Sequence, residues 1–335
     1  MKILFYEIRD FEFDYLLDKI PNSIQPTFFR HSLNPNTFID EKHKNAEAIS
    51  CFVSCELSKE VLKQFSDLKY IFLRCMGFSN VDLEYCKEKN IKVFNAPNYG
   101  NSTVAEYVFM LILSLAKKSA KTASDLKNGT TNANDIMGVE LCRKTIGIIG
   151  CGNIGRKIIN IAQGFNMEVL VSDINKQGAY NFVELDELLS KSDFVTLNCP
   201  LTDKTRNLIN KYTLSLMKPS SFLINASRGE TVNTKDLYMS LINKKIKGAA
   251  LDVIECEELL CENREKCENF DNLKNYCLKK YFFIQKLMQL DNVIITPHNA
   301  YNTIEANTRI LNITLNNIIS CYDKDYCLKN QVILN

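Results

Sequence analysis

Short apolar runs alternate with amphipathic stretches from Lys2 to Ala96. "KILFYEI", "AISCFV", "KYIFLRC" and "IKVFNA" read as strands. Between them "FDYLLDKI", "SKEVLKQF" (with Ser58 as N-cap) and "VDLEYCKEKN" read as helices. Such alternation predicts parallel βαβ units. Pro97 and Gly100 break it, and an apolar helix follows from about Thr103 to Lys118. The greasiest part of that helix, "YVFMLILSLA", is about half a membrane span, which predicts a buried helix. After a polar stretch, "NGTTNAND", the alternation resumes with "KTIGIIG", "EVLVSD", "DFVTLNCP", "SFLINAS", "IKGAALDV" and "NVIITPH". Two βαβ series separated by a long apolar helix predict an α/β protein of two doubly wound domains with a cleft between them. The last segment, "TIEANTRILNITLNNIIS", is apolar at helical spacing and is expected to cross back to the first domain. That gives one domain from residues 1–100 and 300–335 and a second from 101–299. The charged, Cys-rich stretch from Glu258 to Leu290 reads as a mostly helical insertion.

Length agrees with two domains: the chain has 335 residues, and single cores stop growing near ~250–300. Lys+Arg number 41 and Asp+Glu 39, a balance of +2 that argues against nucleic acid or an anionic membrane as partner. A small-molecule ligand or a protein partner is expected instead. Charges at Glu7, Arg9, Asp10, Glu12 and Asp14 exclude a signal peptide, so the expected location is cytoplasmic. The thirteen cysteines are odd in number and scattered, with no C-x-x-C pair, and are expected to be reduced thiols. The densest group, Cys256, Cys261, Cys267 and Cys277, matches no zinc or iron–sulfur spacing, so no metal is expected.

"TIGIIGCGNIGRKI" carries Gly150-x-Gly152-x-x-Gly155 directly after a β-branched apolar run and at the start of a helix. There Gly150 permits a tight turn, Gly152 admits a pyrophosphate, and Gly155 lets helix and strand pack closely. Asp173, at the end of "EVLVSD", suits the adenosine ribose hydroxyls and repels a 2′-phosphate, so the expected cofactor is NAD. Lys176 is near enough to blur that preference.

Arg228 in "INASRGE", Asp252 with Glu257 in "GAALDVIECEE", and His298 in "TPHNA" each lie just past a strand end. In open parallel sheets ligands bind beyond the carboxyl ends of strands, so these residues converge where a nicotinamide would lie. The chain has three histidines, and a lone one ending a buried strand is more often structural than catalytic. An accompanying arginine and carboxylate reverse that weighting for His298.

At this density of motifs the sequence resembles the D-isomer-specific 2-hydroxyacid dehydrogenases across essentially its whole length. "GIIGCGNIG", "VTLNCPLTDKTRNLI", "LINASRGETVNT", "GAALDVIE", "IITPHNAY", "FLRCMGFSNVDL" and "NAPNYGNSTVAEYV" carry the resemblance. "DVIECEE", "PHNAYNT" and Tyr99 in "PNYGNS" bring it nearest to the D-lactate dehydrogenase branch. The resemblance implies a flavodoxin-like substrate domain and a Rossmann NAD-binding domain. It implies that Arg228 binds the 2-oxo acid, that His298 exchanges a proton with its carbonyl oxygen, and that Glu257 holds His298 and favours its protonated form. Glu255 and Glu258 are alternatives to Glu257, expected to be solvated.

By the same resemblance Asn153 and Ile154 join the pyrophosphate turn, and Cys199, Pro200 and Thr205 line the cofactor cleft. Ala226, Ser227 and Asp252 flank the nicotinamide ribose or ring. In the first domain the amides around Cys75, Met76 and Gly77 meet the substrate carboxylate, and Tyr99 closes over it unless it is a buried structural residue. Many relatives have His where this chain has Asn198, and "TAYYT" where it has "NAYNT", so Asn299 and Asn302 are expected to alter substrate preference.

The expected reaction is NAD-dependent reduction of a 2-oxo acid to its D-2-hydroxy acid, pyruvate to D-lactate first, by a homodimer. A bulkier oxo acid, glyoxylate or hydroxypyruvate, or a phosphorylated acid are alternatives. A corepressor-like, NAD-sensing interaction protein is the alternative from another class.

Overall fold

The strands gather into two separate parallel sheets in a computed structural model of the chain, which describes residues 1–130, 132, 136–257, 275–323 and 330–332. The chain divides into two units, Met1–Tyr99 with Thr303–Asn335, and Gly100–Asn302.

The first unit contains β1 (Lys2–Phe5), β2 (Gln25–Phe28), β3 (Ala48–Cys51), β4 (Tyr70–Leu73) and β5 (Lys92–Phe94). Its helices are α1 (Asp10–Lys19), α2 (Lys59–Leu62), α3 (Leu83–Glu88) and, from the far end of the chain, α11 (Ile304–Tyr322). The strand order β2-β1-β3-β4-β5 is that of flavodoxin-like sheets. Strand periodicity sends alternate residues to opposite faces. Leu4, Ile49, Ile71 and Val93 pack with Val61, Leu62 and Cys86 of α2 and α3. Ile3, Phe5, Phe72 and Phe94 pack with Leu16 of α1 and with Leu311, Leu315 and Ile318 of α11. The C-terminal helix thus packs in the first unit.

Strand β2, "QPTF", is the one that the apolar pattern misses. It is an edge strand with no buried residue, where Pro26 is tolerated. Arg74, next after β4, is wholly buried. Its guanidinium donates to the Tyr6 carbonyl at 2.6 Å, the Glu7 carbonyl at 3.0 Å and the Ser50 hydroxyl at 3.1 Å, with the buried Glu12 carboxylate 3.6 Å away.

The second unit opens with α4 (Asn101–Lys117) and α5 (Ser119–Lys127). There follow β6 (Thr145–Ile149), α6 (Asn153–Gly164), β7 (Glu168–Ser172), α7 (Leu185–Lys191), β8 (Phe194–Leu197) and α8 (Lys211–Leu216). The rest comprises β9 (Phe222–Asn225), α9 (Thr234–Ile242), β10 (Gly248–Leu251), α10 (Asn275–Met288) and β11 (Val293–Ile295). The sheet runs β11-β10-β9-β8-β6-β7, all parallel, and Phe182 bridges Val171 of β7 on the outer side. Counting that bridge as a minimal third strand gives the Rossmann order with β11 added beyond it, the strand order reversing between β6 and β8. Helices α4 and α6 cover one face, and α7, α8, α9 and α10 the other.

The expectation for "NVIITPH" needs correction. Only Val293–Ile295 form a strand, half-buried at the sheet edge, and His298 lies three residues beyond it. Among the described residues no helix is long and apolar enough to cross a membrane.

Candidate active site

The turn after β6 has the geometry that a dinucleotide requires. Gly150 adopts φ 97, and a Cβ there would lie 2.8 Å from the Asn198 backbone. A Cβ on Gly155 would lie 2.2 Å from the Gly150 carbonyl oxygen. Around Gly152, by contrast, a Cβ would meet nothing within 4 Å, and this residue caps α6 without a side chain. Open space in front of a helix amino end lacking a side-chain cap suits a pyrophosphate. Asn153 and Ile154 form the first turn of that helix.

Asp173, just past β7, accepts the Cys151 amide at 2.5 Å and the Asn175 amide at 2.7 Å. Those bonds hold a carboxylate beside the glycine turn. Lys176 pairs with Glu184 at 3.1 Å.

Past β8, Cys199 is half-buried and Pro200 exposed. The Thr205 hydroxyl donates to the Pro200 carbonyl at 2.6 Å and accepts the Thr202 amide at 2.7 Å, so that side chain shapes the loop. Asn198 donates to the Thr196 carbonyl at 3.2 Å.

Past β9, Asn225 is fully buried and organises the loop that carries Arg228. Its carboxamide oxygen accepts the Ser227 amide at 3.0 Å and hydroxyl at 2.9 Å, and its nitrogen donates to the Arg228 carbonyl at 3.0 Å. Arg228 is exposed, with Nη1 donating to the Ser227 carbonyl at 2.7 Å. Gly229 allows this loop to approach the next one, since a Cβ would lie 2.2 Å from the Ile254 backbone. Ala226 is half-buried between them.

Past β10 and β11, Glu257 accepts from or pairs with His298 Nδ1 at 2.9 Å. Both side chains are near half exposed, at 40% and 47%. The hydrogen bond to Glu257 raises the His298 pKa, burial opposes it, and the charges of Glu257 and Asp252 raise it while Arg228 lowers it. With Nδ1 committed to the carboxylate, Nε2 is the ring nitrogen that can give or take a proton. An arginine, an imidazole and a carboxylate that influence one another electrostatically are thus present at three neighbouring strand ends.

Asp252 is 1% exposed, and its carboxylate accepts the Thr296 hydroxyl at 2.6 Å and the Asn299 and Ala300 amides at 2.9 Å. It therefore holds together the loop that carries His298. The Asn302 side chain donates to that of Asn299 at 3.0 Å in the same loop.

Two expectations are corrected here. Glu255 is not a solvated charge: it is buried and accepts the Thr234 amide at 2.8 Å, the Thr234 hydroxyl at 2.6 Å and the Lys280 ammonium at 2.8 Å. Its Oε2 is thus committed to Thr234 and Lys280, whereas His298 Nδ1 is bonded to Glu257, and Glu258 lies outside the described residues. The cysteines are not all free thiols: Cys256 and Cys277 form a disulfide.

In the first unit, Cys75 is buried with its thiol donating to the Gly77 carbonyl at 3.1 Å, which leaves only its backbone for binding. Met76 is exposed, and its carbonyl accepts the Asn95 side chain at 2.8 Å. Tyr99 is half-exposed, which excludes a fully buried structural role, and its carbonyl accepts Arg309 Nε at 2.8 Å. Among the described residues no cluster of three or more His, Cys, Asp or Glu could hold a metal ion.

Two organisers, the buried Asn225 and the half-buried Thr296, carry no mark in the motifs. A signal existed for Asn225, because an amide closing the apolar run "FLIN" must find internal partners.

Residues 109–300 match the family model described as D-isomer specific 2-hydroxyacid dehydrogenase, NAD binding domain. A D-lactate dehydrogenase of Curvularia clavata is 32% identical over 95% of this chain and 91% of its own length. An aromatic 2-oxoacid reductase of Clostridium sporogenes is 32% identical over 99% of both chains. Among solved structures, D-lactate dehydrogenase from Aquifex aeolicus, complexed with NAD and lactic acid, has a TM-score of 0.85 at 32% identity and 98% coverage of both chains.

Proposed function

This chain belongs to the D-isomer specific 2-hydroxyacid dehydrogenases and is an NAD-dependent dehydrogenase, and on that premise we propose that it reduces pyruvate to D-lactate. The observation that carries the reading is the His298–Glu257 pair at 2.9 Å, on the same sheet edge as Arg228 and the glycine turn. NADH, when bound, supplies the hydride. Arg228 presents a planar donor fork to the oxo acid and orients it. Protonated His298 delivers its Nε2 proton to the carbonyl oxygen and recovers one in the reverse direction. Glu257 keeps the ring in place and its charged form populated, so that the acid is ready near neutral pH.

The remaining assignments follow the family residue by residue. Gly150, Gly152, Asn153, Ile154 and Gly155 take the pyrophosphate, Asp173 the adenosine ribose. Cys199, Pro200, Thr205, Ala226 and Ser227 line the cofactor, with Asp252 beside the nicotinamide. In the first unit the amides around Cys75, Met76 and Gly77 take the substrate carboxylate, and Tyr99 packs on the substrate. The protein is further read as a cytoplasmic homodimer, a mass that light scattering measures directly.

Support for pyruvate comes from the D-lactate dehydrogenases of Curvularia clavata and Aquifex aeolicus. The Clostridium sporogenes reductase, equally identical, favours a second reading with an aromatic 2-oxo acid. Steady-state rates with NADH and pyruvate, 2-oxobutyrate, 2-oxoisocaproate, phenylpyruvate or hydroxypyruvate decide between them. The pyruvate reading requires the highest kcat/KM for pyruvate and fails if phenylpyruvate exceeds it.

A further inference from the structure

The loop that carries Glu257 is fastened to α10 by two contacts among the described residues. One is ionic, Lys280 to the buried Glu255 at 2.8 Å. The other is covalent, the Cys256–Cys277 disulfide, with Cα atoms 5.9 Å apart and a sequence separation of 21. Cys277 and Lys280 are three residues apart on α10, hence on one face of the helix. Cys256 stands between Glu255 and Glu257 with φ 55, a left-handed conformation that a cysteine keeps only where its surroundings impose it. Both bonded cysteines are half-exposed, within reach of small thiols, whereas Cys51, Cys55, Cys75 and Cys86 are buried.

We propose that Cys256 and Cys277 form a thiol–disulfide switch that sets how firmly Glu257 supports His298. The proposal rests on the acid–base reading given above. With the bridge closed, α10 holds the loop at Glu255 and at Cys256, and the Glu257 carboxylate stays against Nδ1. With it open, the covalent fastening at Cys256 is lost while the Glu255–Lys280 contact stays. The left-handed turn at Cys256 relaxes, and Glu257 spends less time on the imidazole. A disulfide in a reducing compartment is characteristically a switching one.

Closure needs a small-molecule disulfide such as oxidised glutathione. One cysteine thiolate attacks it, forming a mixed disulfide and releasing one thiol. The second cysteine thiolate then attacks the protein sulfur of that mixed disulfide. The Cys256–Cys277 bond forms, the mixed bond breaks, and a second thiol leaves. Two electrons and two protons pass from the protein to the oxidant, and a dithiol reverses both.

The test uses the full chain equilibrated with either oxidised glutathione or dithiothreitol. Thiols are trapped with N-ethylmaleimide and peptides mapped without reduction. Pyruvate and phenylpyruvate reduction are followed against pH in each state. A Cys256–Cys277 peptide is expected only in the oxidised sample. The high-pH limb of the reduced enzyme should lie lower by about half a pH unit, about a threefold loss of rate on that side. Cys277→Ser should show the reduced profile in both buffers, and Cys142→Ser should switch like the parent. Absence of the bridged peptide under oxidation, or coincident profiles with the bridge formed, overturns the switch. His298→Gln separates the two ideas: it should still form the bridge while losing turnover, and normal turnover there overturns the site reading instead.

Discussion

His298 stands in a left-handed backbone conformation, φ 50, because Asp252 holds it there: the His298 amide donates to the Asp252 carbonyl at 2.8 Å. A residue other than glycine keeps that conformation only under external constraint, and the Asp252 carboxylate supplies it through the amides of Asn299 and Ala300. Asp252→Asn should turn an amide group toward those donors and leave at least one without an acceptor. The expected loss is roughly 1–3 kcal/mol of stability in urea denaturation, together with reduced turnover. A variant as stable as the parent would mean that the loop holds itself.

Replacing the proposed acid is the most direct test of the chemistry. His298→Gln should lower kcat by about 10²–10⁴-fold while NADH still binds, as read by its fluorescence. Near-parental turnover would defeat the assignment.

Glu257→Gln tests the charge of the pair. The hydrogen bond from Glu257 raises the His298 pKa, and reduction needs the protonated ring, so activity falls as pH rises through that pKa. Removing the charge lowers the pKa. The high-pH limb of the reduction rate should therefore move to the acid side, and an unmoved limb would leave Glu257 without the proposed role.

Arg228→Lys keeps the charge and loses the planar fork. KM for the oxo acid should rise far more than kcat falls, because an ammonium cannot hold two oxygens in one plane. Equal changes in both constants would place Arg228 in the proton-transfer step as well.

Cofactor choice depends on Asp173. NADH should be preferred over NADPH by about tenfold or more, the equivalent of roughly 1.4 kcal/mol of like-charge contact with a 2′-phosphate. Asp173→Ala should shrink the ratio, and equal use of both cofactors by the parent would contradict the assignment.

Stability of the first unit should depend on Arg74. Arg74→Met removes the donors to the Tyr6 and Glu7 carbonyls and one of two cations beside the buried Glu12 carboxylate, which keeps the Arg9 amide at 2.9 Å and the Arg9 guanidinium at 3.3 Å, so a loss of about 1–3 kcal/mol is expected in denaturant unfolding. The double variant Arg74→Met with Glu12→Leu should recover part of it, which a simple cavity would not allow.

Periodicity and local chemistry made much of this protein legible from its residues alone. Strands buried on both faces read as apolar runs, and amphipathic helices repeat at their own spacing, so the βαβ alternation needed no tertiary information. Gly150, Gly152 and Gly155 declare their turn because the chain can make it with little else, and Arg228, Asp252 and His298 declare a sheet edge by following strand ends. Tertiary structure alone decided the rest. Nothing in "IECEE" distinguishes Glu255 from Glu257; Thr234 and Lys280, distant in sequence, bury one and leave the other to His298. The Cys256–Cys277 bond, the Arg74–Glu12 pair and the edge strand β2 are likewise invisible to a local window, because burial and pairing depend on which distant segments meet.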